Sequence, residues 1–177
     1  VTADKIEKAK KAMPMTDTKV TSDDWRGAMG NFPSGVTIAT AWHQGAPYGS
    51  TVSSFCSVSL EPPLLLICLD KNNPMHGPAL KEGAFGVNIL SADKGEMAMR
   101  FAMPPVETRY EGVDYERHDG GAPHLKDALV FIECVTEQAH EAGTHHVIIG
   151  RGERIVFGAQ QEPLVYHKGG FFDLKPR

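Results

Sequence analysis

Basic charge is in short supply: 18 Lys+Arg stand against 22 Asp+Glu, a formal net charge of −4. Proteins held to nucleic acid by phosphate contacts carry the opposite excess, usually gathered in a basic stripe. No nucleic-acid partner is expected. Long apolar runs are missing too, since Leu64 to Leu69 is the longest and a bilayer-crossing helix needs ~20 residues. The stretch Asp4 to Lys11 is charged where a secretory signal would be apolar. Only three cysteines occur, Cys56, Cys68 and Cys134, and no two form a CxxC pair. That excludes a disulfide framework and a thiolate zinc site, and it fits reduced thiols in the cytoplasm. There is no Walker A loop, no GxGxxG after a strand, no GxSxG elbow and no HExxH helix. Eight histidines raise the question of a metal, chiefly at His140, His145 and His146. Neighbours on a strand point to opposite faces, so His145 and His146 do not share a ligand sphere and no metal is expected.

What is present is an ordinary globular composition, 41% hydrophobic and 23% charged. A compact chain of this size hides roughly 70% of its unfolded surface, enough for a real core. Residues 1–20 read as an N-terminal helix and linker, with Ile6, Ala9 and Met13 at helical spacing and Pro14 as the stop. The main domain then runs over residues 21–177. It opens at Thr21-Ser22-Asp23-Asp24, a capping-box pattern, followed by a helix whose Trp25, Ala28, Met29 and Phe32 form an apolar face expected to be buried. Pro33-Ser34-Gly35 should break that helix.

Strand character dominates the rest. Val36–Trp42 is β-branched, Gln44-Gly45-Ala46-Pro47 supplies a turn, and a return strand is expected from Tyr48 to about Ser54. Leu64–Leu69 reads as a fully buried strand, and Phe85–Ile89 as a further one. Ser91 is the expected cap of a helix running to Ala102, ended by Pro104-Pro105. Two long strands follow, Ala128–Thr136 and His146–Phe157, the second with bends expected at Gly150 and Gly152. Leu164–His167 would add a last strand. Many short strands with few helices predict a mainly β fold, a barrel with peripheral helices.

Two segments place short hydroxyls and backbone N–H groups beside strand ends: Phe32-Pro33-Ser34-Gly35-Val36-Thr37 and Ser50-Thr51-Val52-Ser53-Ser54-Phe55. Such donors suit a planar polar heterocycle, and they suit ordinary turns equally well. The full ordered set is more specific. It comprises those two segments, the continuation Ser57-Val58-Ser59-Leu60-x-Pro62-Pro63, then Val87-Asn88-Ile89-Leu90, Phe101-Ala102 and Pro163-Leu164-x-Tyr166. From Trp25 to about Leu174 this chain resembles the flavin reductase family, the small components of two-component aromatic monooxygenases such as the 4-hydroxyphenylacetate and phenol hydroxylase reductases.

The resemblance implies a split β-barrel of the Greek-key, FMN-binding kind, a homodimer with noncovalent FMN or FAD at the subunit interface. It implies hydride transfer from NADH or NADPH to that flavin, and delivery of reduced flavin to a separate oxygenase. Residue by residue, Pro33, Ser34, Gly35, Val36 and Thr37 would hold the flavin ring together with Thr51, Val52, Ser53 and Ser54. Lys71, Asn72 and Asn73 would take the phosphate. Phe101, Ala102 and Tyr166 would lie against the flavin, and Arg109 would reach the flavin or its phosphate. Gly143 and Thr144 would border the nicotinamide, with His145 as the residue facing it. The family usually reads Gly-Asp-His where this chain has Gly143-Thr144-His145; Thr144 keeps a hydroxyl and removes a charge. Two other readings share the barrel: a flavin-binding module without turnover, and a reductase serving another acceptor, ferric iron or a corrinoid.

Overall fold

The computed structural model describes residues 19–175. The N-terminal helix expected before Pro14 falls outside them. The chain divides into two compact units between Phe32 and Pro33.

In the first unit, α1 (Ser22–Met29) begins as its sequence requires. Asp24 N donates to Thr21 Oγ1 at 3.1 Å, and Thr21 N donates back to Asp24 Oδ2 at 3.1 Å. This reciprocal pair satisfies two donors that the first helical turn leaves free. The helix stops at Met29, capped by Gly30, so Pro33 is not its breaker. Its apolar face is exposed rather than buried: Trp25 is 60% and Met29 51% accessible, and Phe32 lies past the helix end. Spacing defines which face is apolar; it does not supply the surface that covers it.

Among its described residues the second unit is built from twelve strands: β1 (Ser34–Gly35), β2 (Thr37–His43), β3 (Ala46–Val52), β4 (Phe55–Leu60), β5 (Pro63–Asp70), β6 (Ala84–Ile89), β7 (Tyr115–Arg117), β8 (Pro123–Leu125), β9 (Val130–Ala142), β10 (His145–Phe157), β11 (Val165–His167) and β12 (Gly170–Phe172). Two helices join them, α2 (His76–Lys81) and α3 (Gly95–Ala102). Seven strands form one antiparallel sheet in the order β3-β2-β6-β9-β10-β5-β4. Its two outermost strands, β3 and β4, are consecutive in the chain and separated only by Ser53-Ser54. Three residue steps reach at most about 11 Å, so the sheet must curl until its edges nearly meet. The result is the split β-barrel, with three-stranded β1-β11-β12 and two-stranded β7-β8 sheets attached.

One core lies inside the barrel around Ile67, Leu69, Phe85, Val87, Cys134 and Ile148; another gathers Val36, Ile38, Leu90, Phe101, Leu125 and Leu164. Gly150 lets Phe85 reach its place, because a Cβ there would meet Phe85 Cζ at 2.5 Å. The β9–β10 ladder slips at Ile149/Gly150 and between Gly152 and Arg154, where bends were expected. The strand over Leu64–Leu69 is not fully buried. Leu65, Ile67 and Leu69 are covered while Leu64, Leu66 and Cys68 are partly exposed, since only one side of the barrel wall faces the core. Ser91 does not cap an α-helix. Its hydroxyl donates to Asp93 at 2.5 Å, a short 3-10 turn covers Ala92–Lys94, and α3 begins only at Gly95.

Candidate functional site

The barrel's closure decides which predicted residues meet. Thr37 pairs with Val52 in the β2–β3 ladder, which puts Pro33–Val36 just beyond the end of that ladder. Ser54 stands at the same end, where its carbonyl accepts from Cys68 N at 3.0 Å and its hydroxyl donates to Cys68 O at 3.0 Å. Cys68 is two residues before the end of β5, so the turn Asp70–Asn73 follows directly. Three separated segments thus converge on one rim.

On this rim the side chains divide into scaffold and surface. Val36, Thr37, Val52 and Phe101 are buried. Thr37 Oγ1 donates to Val52 O at 2.7 Å and Thr51 Oγ1 to Ala98 O at 2.6 Å, so both hydroxyls fasten the rim to itself. Pro33, Gly35, Ser53, Ser54, Ala102 and Tyr166 are exposed, with Ser34 half-buried. Among the described residues the Ser53 hydroxyl has no hydrogen-bond partner, and a Cβ on Gly35 would meet nothing within 4 Å. Ser34 pairs with Tyr166 and Gly35 with Val165, so the β1 loop and Tyr166 are neighbours. The Tyr166 ring packs edge-on to Phe171 at 6.0 Å.

The turn after β5 is wired to the tip of the β9–β10 hairpin. Gly143 and Thr144 form its two-residue loop, and only Gly143 has a positive φ, 60°. That is the type II′ pattern, in which a side chain at the first position would be strained. His145 pairs with Asp70 in the β5–β10 ladder, and Lys71 N donates to Thr144 O at 3.0 Å. The predicted phosphate turn and the predicted nicotinamide residues therefore form one structure. Lys71 Nζ makes an ion pair with Glu141, whose carboxyl is held below its usual range first by that hydrogen bond and then by the ammonium charge. Asn72 N donates to Asp70 Oδ1 at 2.7 Å. Asn73 clamps the turn from both ends: its Nδ2 donates to Ser50 Oγ at 3.0 Å and its Oδ1 accepts from Met75 N at 2.8 Å.

His145 is half-exposed, and its Nδ1 lies 2.9 Å from the Thr144 hydroxyl and 3.9 Å from Asp70 Oδ2. Thr144 therefore sets its hydroxyl beside the His145 ring, and a carboxylate stands near in Asp70. His146 points the other way, to His76, with Nδ1 and Nε2 2.9 Å apart. Burial lowers the His76 pKa, and the charges of His146 and Lys71 push it in the same direction while Asp70 opposes them.

Arg109 departs from expectation. It is buried, donating through Nη1 to Gly49 O at 2.7 Å and through Nη2 to Met103 O at 3.3 Å, and its Nε has no partner among the described residues. A guanidinium committed to two backbone carbonyls supports the wall beside Phe101 and is not held out to a phosphate. Residues not foreseen for the site are Ser50, Asp70, His76, Glu141 and His146. The first two stand within or beside the quoted motifs. His76 opens α2, where Gly77 and Pro78 give the sequence no helical signal.

A shallow depression of about 320 Å³ lies at the far end of the β9–β10 hairpin, lined by Val130, Phe157 and Gln160 among others. It contains none of the rim residues.

The family model described as the flavin reductase like domain matches residues 29–175. The reductase component of a 4-nitrophenol 4-monooxygenase/4-nitrocatechol 2-monooxygenase from Rhodococcus opacus is 34% identical over 86% of this chain and 81% of that protein. A Rhizobium meliloti protein named "Probable flavin reductase" is 39% identical over 83% of this chain, and the chain spans about half its length, 47%. The solved structure of the NADH:FAD oxidoreductase SgcE6 from Streptomyces globisporus C-1027 superposes with a TM-score of 0.82 at 32% identity, covering 90% of this chain and 98% of that one.

Proposed function

The chain belongs to the flavin reductase family, and from that membership we propose that it transfers hydride from NADH or NADPH to noncovalently bound FMN or FAD and supplies the reduced flavin to a separate monooxygenase. The observation that carries this reading is the joining of the Asp70–Asn73 turn to the Gly143–His145 hairpin tip at the rim of the Ser53-Ser54 split. Anion-binding groups, open hydroxyls and an accessible imidazole lie on one continuous edge. The donor chemistry fits the group: Lys71 and Asn72 suit a phosphate, while Ser53 and the backbone about Gly35 suit the polar edge of a planar ring.

When bound, the flavin supplies the ring that accepts a hydride at N5 from the nicotinamide C4, so most of the protein's contribution is positioning. Lys71 and Asn72 anchor the phosphate end. Ser53 and the main chain from Pro33 to Gly35 would hold the ring's polar edge, and Tyr166, paired with Ser34, would lie against it. His145, held by Thr144 and Asp70, positions the nicotinamide and moves no proton. Asn73 keeps the turn in register with β3 through Ser50. Exposure along the rim suits a product that must leave for another enzyme. By analogy with the family, a second copy of the chain would complete the site.

Stopped-flow NADH and NADPH oxidation, with FMN, FAD or no flavin added, tests the reading. The expected result is multiple turnovers that require flavin, in a protein that light scattering shows to be a dimer. Flavin binding without turnover with either nucleotide would leave only a binding module, and turnover indifferent to flavin would reject the proposal outright.

A further inference from the structure

The β7–β8 hairpin carries a second constellation. Its His124 stacks on Phe131 at 4.6 Å, and Phe131 lies ten residues along β9 from Glu141, about 30 Å away at strand spacing. Glu116 stands directly opposite His124 in the ladder, and His118 follows Glu116 by two. Cross-strand pairing puts Glu116 and His124 on one face, and His118, one residue past the end of β7, brings its ring to the same face.

Their donor atoms converge. Glu116 Oε1 lies 3.2 Å from His118 Nε2 and 3.2 Å from His124 Nδ1, and the two nitrogens are 3.2 Å apart. The centre of such a triangle is about 1.9 Å from each corner, and a point raised about 1 Å above it is about 2.1 Å from all three. Those are the ordinary lengths of metal bonds to imidazole and carboxylate. Hydrogen bonding accounts for the triangle less well. The two facing nitrogens bring at most two protons, and if both point at Glu116 they oppose each other along the third edge. One cation satisfies all three edges together.

The hairpin is also held in shape without an ion. Arg117, on the opposite face, lies over the Trp42 ring at 3.8 Å and donates through Nε to Gly121 O at 2.8 Å. Asp119 and Gly120 take positive φ in the turn, and Ala122 N is fixed by Glu133 Oε1 at 3.0 Å. The His124 side chain is 8% exposed, whereas that of Glu116 is 45% exposed, so the triangle has a buried floor and an open mouth.

We propose that Glu116, His118 and His124 bind a divalent first-row transition-metal ion, with two imidazoles and one carboxylate as protein ligands and water filling the remaining positions. This donor set suits zinc, iron, nickel or copper and disfavours calcium and magnesium, which prefer all-oxygen shells. The site is independent of the flavin reading.

The test titrates Zn²⁺ into the chelator-stripped full chain by calorimetry, with Co²⁺ visible absorption as a second readout of coordination. One equivalent should bind with a Kd at or below about 10 μM. Glu116→Gln and His118→Ala, both at the accessible mouth, should weaken binding at least about tenfold while melting as the metal-free parent does. His140→Ala, which removes an exposed histidine elsewhere, should bind as the parent. A parental Kd above about 100 μM, unchanged binding in Glu116→Gln and His118→Ala, or loss of the site in His140→Ala would each overturn the proposal.

Discussion

Lys71 and Glu141 give the phosphate assignment a pair of tests with opposite signs. Lys71 is fixed through its backbone, N to Thr144 O at 3.0 Å, while among the described residues its ammonium is held only by the Glu141 carboxylate. A flavin phosphate at Lys71 would compete with that carboxylate. Replacing Lys71 by Ala removes one charge-assisted hydrogen bond, about 1.5–3 kcal/mol where water is excluded. The Lys71 side chain remains 35% exposed, so solvent screening reduces this to about 1 kcal/mol, or a Kd raised about fivefold. Glu141→Ala should do the reverse and tighten flavin binding by a few-fold, because the ammonium is released. Flavin fluorescence titrations would read both, and both effects should nearly vanish at about 1 M salt, where the Debye length is ~3 Å. In the Lys71→Ala background, Glu141→Ala should have no further effect, since its influence passes through the ammonium. If Glu141→Ala instead weakens flavin binding as much as Lys71→Ala does, the ion pair braces the turn and Lys71 is no phosphate ligand.

Four further substitutions separate binding from scaffolding. His145→Ala should raise KM for NADH several-fold with flavin affinity unchanged, and Asp70→Asn should show a weaker form of the same change; parental kinetics in both would move the nicotinamide site elsewhere. Arg109→Met should destabilise the fold by about 2–4 kcal/mol, because the Gly49 and Met103 carbonyls lose a charged donor; a parental denaturation midpoint with weakened flavin binding would restore the ligand role instead. For His76, whose pKa is lowered in the fold, first by burial, the unfolded chain takes up the proton at higher pH than the folded one. Stability should therefore fall as pH drops through about 6.5, toward the folded pKa, and His76→Gln should flatten that part of the pH–melting profile.

Much of the fold was legible because its strands are long and β-branched. The β-branched run Val36–Trp42 and the turn residues Gln44-Gly45-Ala46-Pro47 after it required little beyond local propensity. Other elements failed for definable reasons. The strand Phe55–Leu60 mixes serine with apolar residues and runs into Pro62-Pro63, so its sequence shows no strand pattern of its own; only the long-range ladder to β5 reveals it. The helix His76–Lys81 contains Gly77 and Pro78, residues that lower helix propensity but are tolerated in its first turn. Strands of three residues, such as Tyr115–Arg117, are too short to show a period. In the site, the exposed residues of the motifs gather on one rim, whereas Arg109 is committed to two backbone carbonyls, and a charge in sequence carries no sign of its burial. Glu116, His118 and His124 were invisible for a related reason: Glu-x-His is a weak pattern, and its third member arrives only through strand pairing.

Closure of the barrel and placement of the rim site are one physical problem. A sheet that curls to bring β3 and β4 together leaves a seam, because two residues cannot continue both ladders at once. Peptide groups at a seam lose their strand partners and need others. Here Ser54 resolves part of the deficit by pairing doubly with Cys68, while among the described residues the backbone N–H groups of Ser53 and Ser54 donate to no carbonyl. Beside the seam, Pro33 has no N–H, and β1 contributes only two residues to its own small sheet. The unengaged donors of Ser53 and Ser54 therefore stand on an edge accessible to solvent, yet rigid, because Thr37, Thr51 and Asn73 bind its backbone and turns to the barrel. A planar molecule with acceptors along one side meets donors already in position and loses little entropy in ordering them. An uninterrupted barrel of the same composition would have used those donors internally, so the split in the sheet is what makes a ligand edge available.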